Sequence, residues 1–556
     1  MSGPADLAFV GGGVYTVDAA RPWVEAVAVR GSRIVAAGTD AEVREASGPA
    51  TDVVDLSGRL LLPGFQDAHI HASAGGLNRT RVDLSESHAR ADYDRIVASY
   101  ARANPAAEWI LGAGWSLDLF DGGIPTREQL DAVVSDRPAF LVNRDHHGAW
   151  ANSRALELAG ITRDTPDPAD GRIERDAGGE PVGTLQEGAM SLMERVVPPV
   201  SMEDRLRGIL VAQAYLHALG ITAWQEAIVG TYPGVPDCFD PYLAAASSGT
   251  LTGRVAAALW FERGRGLDQL DGFRERRARA LEDSSGRVRA GTVKIMYDGV
   301  CENFTAAMLE PYLAEGLGAA GRGLTYFDAE ELKEHVTALD GAGFQVHFHA
   351  IGDRGVRDVL DAVEAARRAG GGGNRHHVAH LQVVHPDDLG RFGTLGVAAN
   401  AQMLWAQLDG QMTELTIPFL GPDRSDRQYP FESLRARGAT LAAGSDWPIS
   451  TPDPLQQIHV GVNRVAPPGY AFGDGGEAEP FLPRERLTLD AAVRAFTAGS
   501  AFVNQLDETG TIRVWNLADL VVLDRDVFAH PPEEIGTARA VLTLVDGRVV
   551  HEAPGA

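Results

Sequence analysis

The chain has 556 residues, 44% of them hydrophobic and 23% charged, and 76 acidic against 50 basic side chains give a formal net charge of −26. This is the composition of a globular chain with ample core, not a disordered or fibrous one. The acidity argues against nucleic acid or an anionic membrane as partner, because both need basic patches.

No apolar run approaches the ~18 residues of a membrane span, and the opening Met-Ser-Gly-Pro-Ala-Asp lacks the basic and apolar stretches of a signal peptide. The expectation is a cytoplasmic protein acting on a small molecule, with self-association into a homodimer left open. Cys238 and Cys301 are the only cysteines, so no disulfide framework is expected.

In chain order, Leu7 to Val17 and Val24 to Ala37 read as short strands, with β-branched residues in rough alternation and glycine punctuation. Ala518 to Leu523 and Ala540 to His551 read the same way, which predicts one small β domain built from both ends, 1–62 with 505–556. Between these ends short apolar runs alternate with helical patterns. The runs are Gly64 to Ala72, Gly220 to Ala227, Arg254 to Glu262, Thr292 to Gly299, Phe344 to Ala350, His377 to Val383, Val397 to Met403 and Thr440 to Asp446. Eight buried strands alternating with helices are the sequence form of a (β/α)8 barrel, expected over 63–504. The first two runs lie ~150 residues apart, against ~30 for an ordinary βαβ unit, so an insertion is expected over about 83–197.

Five segments carry chemistry. In GFQDAHIHA, His69 and His71 are two apart at the end of an apolar run, so in a strand both face one side, and neutral imidazole is a preferred ligand for zinc and similar ions. In TVKIMYDGV, Lys294 is flanked by apolar residues where a charged amine is costly. Only two of the 50 basic residues are lysines; an amine can lose its proton and react, whereas guanidinium cannot. Carboxylation by CO2 to a carbamate that bridges metals, or a Schiff base with pyridoxal phosphate or a substrate carbonyl, both fit. The other lysine, Lys333, lies among Glu330, Glu331 and Glu334 and reads as a solvated salt-bridging residue.

FQVHFHAIGD repeats the two-apart spacing at His347 and His349, and His380 sits inside an apolar run flanked by His376, His377 and His385. His349 and His380 are the metal candidates; structural roles suit the three flankers, and His347 has none assigned. Asp446 ends the run LAAGSDWPIS. The ordered set of paired histidines, lysine, two further histidines and an aspartate falls at successive strand ends, the active-site face of such a barrel.

At these residues the chain resembles the amidohydrolase superfamily, and within it the YtcJ-like branch (amidohydrolase family 3) that includes N-substituted formamide deformylases. The likeness runs from LLPGFQDAHIHA through GAGWSLDLF, NRDHHGAWANSRAL, LGITAWQEA, VKIMYDG, HAIGDR and GSDWPIS to GTIRVWNLADLVVL. It implies a β-sandwich from both termini beside a metal-bearing barrel. It further implies two divalent ions, zinc by expectation: His69, His71 and Asp446 hold one, His349 and His380 the other, and N6-carboxylated Lys294 bridges them.

One departure is that Asp298-Gly299 leads into Val300-Cys301-Glu302-Asn303, where many relatives place serine. Two cations ~3.5–4 Å apart would activate a bridging water, with Asp446 as base and then acid. His147 and Asn152 would act as oxyanion donors, Asp298 would border the substrate, and Trp115, Trp150, Trp405 and Trp447 would line the pocket. The implied reaction is hydrolysis of an amide-type, non-peptide carbon–nitrogen bond. The rivals are a deaminase, cyclic amidase or esterase on the same scaffold, a pyridoxal phosphate enzyme, and a non-catalytic metal-binding scaffold.

Overall fold

Eight of the apolar runs form a single parallel sheet in sequence order: β1 (Phe65–Ile70), β2 (Ile221–Val229), β3 (Arg254–Trp260), β4 (Val288–Met296), β5 (Gln345–Ala350), β6 (His377–His380), β7 (Ala398–Ala401) and β8 (Leu441–Ala443). The computed structural model describes residues 3–87, 89–144, 148–168, 171–193, 195–232, 236–314, 321–470 and 479–555. The strands are buried on both faces, which is why they read as continuous apolar runs rather than alternating ones.

A helix follows each strand from β2 onward, at Phe239–Ser247, Leu270–Asp283, Ala329–Gly341, Asp353–Arg368, Leu389–Leu395, Phe431–Ala436 and Pro454–Asn463. β8 meets β1 beyond its own end: the Asp446 amide donates to the His69 carbonyl and the His71 amide to the Trp447 carbonyl, both at 2.8 Å. The expected (β/α)8 barrel is therefore present.

Its interior is polar. Lys294, His347 and His377 stand side by side in register on β4, β5 and β6, and neighbours in a parallel sheet present side chains to one face. One step toward the N-terminal ends, Thr292 donates to Gln345 Oε1 at 2.6 Å, and Gln345 Nε2 donates to the Val503 carbonyl at 2.8 Å. His377 Nε2 lies 3.0 Å from Gln225 Oε1, and Asn400 Nδ2 lies 3.2 Å from His377 Nδ1. Each buried amide here has a partner, as a buried polar column requires.

Strands from both ends of the chain pack into a sandwich. Leu60–Pro63 pairs antiparallel with Leu520–Leu523 inside a six-stranded sheet, and Leu7–Val10 lies within a second sheet of four strands. Phe9, Val27 and Ile34 of the second sheet share a core with Leu61, Leu520 and Val522 of the first. The sandwich is tied to the barrel at Arg254 on β3. Its guanidinium reaches Asp519 at 2.7 and 3.2 Å and also bonds Asp546, with Arg254 and Asp519 only 9% and 3% exposed.

Residues 72–212 form a separate compact unit. It is wider than the expected insertion because helix Ala72–Arg79 belongs to it: Gly76 packs on the backbone of Gly208, a contact too close for any Cβ. Its six-stranded sheet carries a core of Tyr93, Trp115, Phe120, Leu141 and Trp150. Among the described residues no helix is long and apolar enough to cross a membrane. Cys238 and Cys301 are buried and not joined in a disulfide.

Replacing Arg254 with Met leaves Asp519 buried without its guanidinium, and loss of one partner of a buried pair costs about 3 to 5 kcal/mol. The expected result is a lower urea midpoint by tryptophan fluorescence; an unchanged midpoint would show that the pair does not tie sandwich to barrel.

Candidate metal centre

The C-terminal ends of the strands gather the predicted ligands. His69 lies on β1 and His71 just beyond it, and their Nε2 atoms stand 3.1 and 3.2 Å from one oxygen of Asp446. Ligand atoms of His69, His380 and Asp446 all lie within 4.8 Å of one another, and all three residues are buried. The His349 ring is 4.3 Å from that of His380, which in turn is 4.7 Å from that of His69. Lys294 enters from below, its Nζ 3.2 Å from His347 Nε2. All six predicted ligands thus fall in one contiguous cluster.

Local backbone geometry explains two of these placements. In register, His380 is opposite Ala350, and regular alternation from inward His377 would turn it to the outer face. A φ of +82° at His380 breaks the strand there and swings the imidazole in beside His349. Asp446 likewise has a φ of +58°, a left-handed conformation that aspartate tolerates better than most residues. Gly444 is required for a different reason: a Cβ there would lie 2.6 Å from both the amide nitrogen and the Cβ of His69. Asp67 clamps the same junction, accepting the His69 amide at 3.0 Å and the Ser445 amide at 3.1 Å.

The electrostatics follow from burial. Burial, reinforced by the Lys294 charge, lowers His69 and His349 to about 3, and burial holds His347, His377 and His380 well below the usual imidazole range. These histidines are neutral at pH 7, the form that ligates metal. Burial alone would raise Asp446, but the electrostatic effect of the adjacent His69, together with hydrogen bonding at His69 and His71 Nε2, holds it well below the usual carboxylate range. Burial brings the Lys294 amine down to about 7, opposed by Asp446, so much of it is uncharged at neutral pH. Lys333 behaves as its surroundings predict: half-buried at the surface and paired with Glu330 at 2.6 Å.

His347 is the residue the spacing pattern showed but could not assign. Its Nε2 lies 2.8 Å from His69 Nδ1 as well as beside Lys294, so by accepting the Nδ1–H it can fix the tautomer of His69, as partners of metal-binding histidines do. The flankers have structural roles: His376 pairs with Asp340 at 2.9 Å, and His385 contacts Arg357 at 3.0 Å.

Five of the expected substrate contacts have other partners in the structure. Trp115 is fully buried, donating to the Leu141 carbonyl at 2.8 Å, and Trp150 donates to that of Thr126 at 2.7 Å. Asn152 caps helix Ser153–Ala159, accepts the Ala139 amide, and donates to the Val134 and Arg137 carbonyls. Its amide is therefore fully used. Asp298 is completely buried, pushed up to about 7 by that burial, and accepts the amides of Ala307, Ile351 and Gly352; it shapes the loops after β4 and β5. Trp447 is 4% exposed and packs on Tyr215. Trp405 does reach the centre, half-buried and stacked on His380 at 5.3 Å with rings 7° from parallel. His147 lies outside the described residues.

The model of the amidohydrolase family matches residues 52–551. The chain belongs to the amidohydrolase family. This amidohydrolase is 29% identical to the putative amidohydrolase YtcJ of Bacillus subtilis (strain 168), over 98% of each chain. It is 27% identical to the N-substituted formamide deformylase of Arthrobacter pascens, over 100% of both. Among solved structures, an uncharacterized metal-dependent hydrolase from Pyrococcus furiosus superimposes with a TM-score of 0.71 at 25% identity, covering 94% of this chain and 99% of that one. The protein is a metal-dependent hydrolase of this family, and its residues fit a divalent cation: buried neutral imidazoles surround one buried carboxylate, and His380 Nδ1 has no hydrogen-bond partner.

Gly444→Ala forces β8 away from His69, an overpacking that costs about 1 to 3 kcal/mol. Elemental analysis is expected to show reduced metal content in a variant whose far-ultraviolet circular dichroism is unchanged; full metal content would contradict the role given to this close approach.

Proposed function

We propose that this amidohydrolase cleaves an amide-type carbon–nitrogen bond outside peptides, with N-substituted formamides as the first substrates to test. The observation that carries the reading is the single Asp446 carboxylate within hydrogen-bond reach of two imidazoles, His69 and His71, beside a buried lysine whose amine is easily uncharged. The whole-length likeness to a formamide deformylase supports the choice of substrate class.

In this reading His69, His71 and Asp446 would hold one ion and His349 and His380 a second, with Lys294, carboxylated on Nζ, as a ligand available to both. Such ions, zinc foremost, polarise a carbonyl and lower the pKa of a water. The chain's own groups do the rest. Asp446 takes the proton of the attacking water and returns it to the leaving nitrogen. His69 and His380 do not compete for that proton, because burial keeps them neutral. His347 keeps His69 in one tautomer, and Trp405 stacks on the His380 ring.

Asp446→Asn is expected to lower kcat by at least about a hundredfold, the scale of lost acid–base catalysis, with the fold intact by circular dichroism; near-normal turnover would contradict the assignment. Lys294→Ala is expected to lose about one metal ion per chain, as removal of a bridging group should. Across a panel of formamides, cyclic amides, esters and aminopurines, the amides are expected to turn over. Turnover confined to aminopurines or esters would make the enzyme a deaminase or esterase instead.

A further inference from the structure

The wall of the barrel mouth above β3 and β4 holds an arginine that the reaction does not use. Trp260 is in register with Lys294 and so shares its inward face, while Met296, two residues beyond Lys294, stands on that face opposite His349. Tyr232 packs edge-on against Trp260 with ring centres 5.0 Å apart.

Just past the end of β3, Arg263 folds back toward this wall. Its Nη2 is 3.1 Å from the Met296 sulfur, and its guanidinium carbon is 3.3 Å from the centre of the Tyr326 ring. The side chain is held by a ring face and a thioether, a weak acceptor.

Its charge is unmatched. Four neighbouring arginines pair with carboxylates, Arg265 with Glu262 at 3.0 Å, Arg274 with Asp271 at 2.8 Å, Arg279 with Asp240 at 2.8 Å, and Arg276 with Asp237, while Arg277 donates to the Ala342 and Gly343 carbonyls. Glu262, adjacent in sequence, is engaged by Arg265. Arg263 forms no ion pair among the described residues, in a chain where acidic side chains outnumber basic ones 76 to 50. A guanidinium stacked by its face leaves its edge free, and that planar fork of N–H donors matches a carboxylate.

We infer that Arg263 binds a carboxylate on the substrate, set apart from the bond that is cut, so that the preferred substrates are anionic amides whose apolar part lies against Trp260 and Tyr232. This deepens the amide-hydrolase reading and rests on it.

The test compares N-formylphenylalanine with its carboxamide on the metal-loaded wild type, Arg263→Gln and Arg263→Lys. The wild type is expected to prefer the carboxylate. In Arg263→Gln the ratio of kcat/KM values should fall about ten- to a hundredfold, through KM, as loss of a charge-assisted hydrogen bond requires, and Arg263→Lys should recover part of it. A wild type without preference, or a ratio unchanged in Arg263→Gln, overturns the inference. If neither compound is hydrolysed, the amide reading fails for this class, and calorimetric binding of the same two compounds still decides the role of Arg263. A carboxylate preference lost in Arg263→Gln supports that role; equal binding by the wild type overturns it.

Discussion

The junction of the last barrel strand with the first is the constraint on which the centre depends. Two backbone hydrogen bonds, from Asp446 to His69 and from His71 to Trp447, make that junction, and three of the proposed ligands supply its donors and acceptors. The bonds that complete the sheet therefore also fix where those ligands point. Asp67 binds both sides, and Gly444 lets the two backbones approach. Left-handed backbone at His380 and Asp446 costs of order 1 to 3 kcal/mol per residue and persists only where packing over-determines it. Here the surrounding parallel ladder provides that restraint.

One physical cause, burial, sets most of the protonation states. The same loss of water that keeps five imidazoles neutral also makes the Lys294 amine easy to discharge. Asp446 alone resists, because two histidines bond to its oxygen. The result is a pocket of neutral donors around one negative charge, in which a cation is favoured and an extra proton is not. The composition points the same way: arginine could stand at almost every other basic position, but at Lys294 its permanent charge would remain buried and unreactive.

Much of this was legible in the sequence because two-residue spacing survives folding. His69 with His71 and His347 with His349 share faces for the reason any strand residues two apart do. The continuous apolar runs announced a doubly covered parallel sheet, and the resemblance supplied its closure. His380 was legible only as a histidine in a strand, since alternation from His377 would have turned it outward and the positive φ has no local signature. The insertion misled more. Asn152 in Trp-Ala-Asn-Ser-Arg-Ala-Leu is equally the signature of a helix cap, and the indoles of Trp115 and Trp150 find backbone carbonyls that no short motif reveals. Arg263 could not be singled out, because what distinguishes it among so many arginines is its place against Met296 and Tyr326 beside the inward face of β4, a property of the folded chain.

We propose that the side chains held by the barrel register would bind two cations, with Lys294 as a ligand shared by both. Diffraction from zinc-grown crystals, recorded on either side of the zinc absorption edge, tests it most directly. The account predicts two anomalous peaks ~3.5–4 Å apart, one beside His69, His71 and Asp446, the other beside His349 and His380, with carbamate density on Lys294 between them. A single peak with an unmodified Lys294 amine pointing away from it would contradict the account.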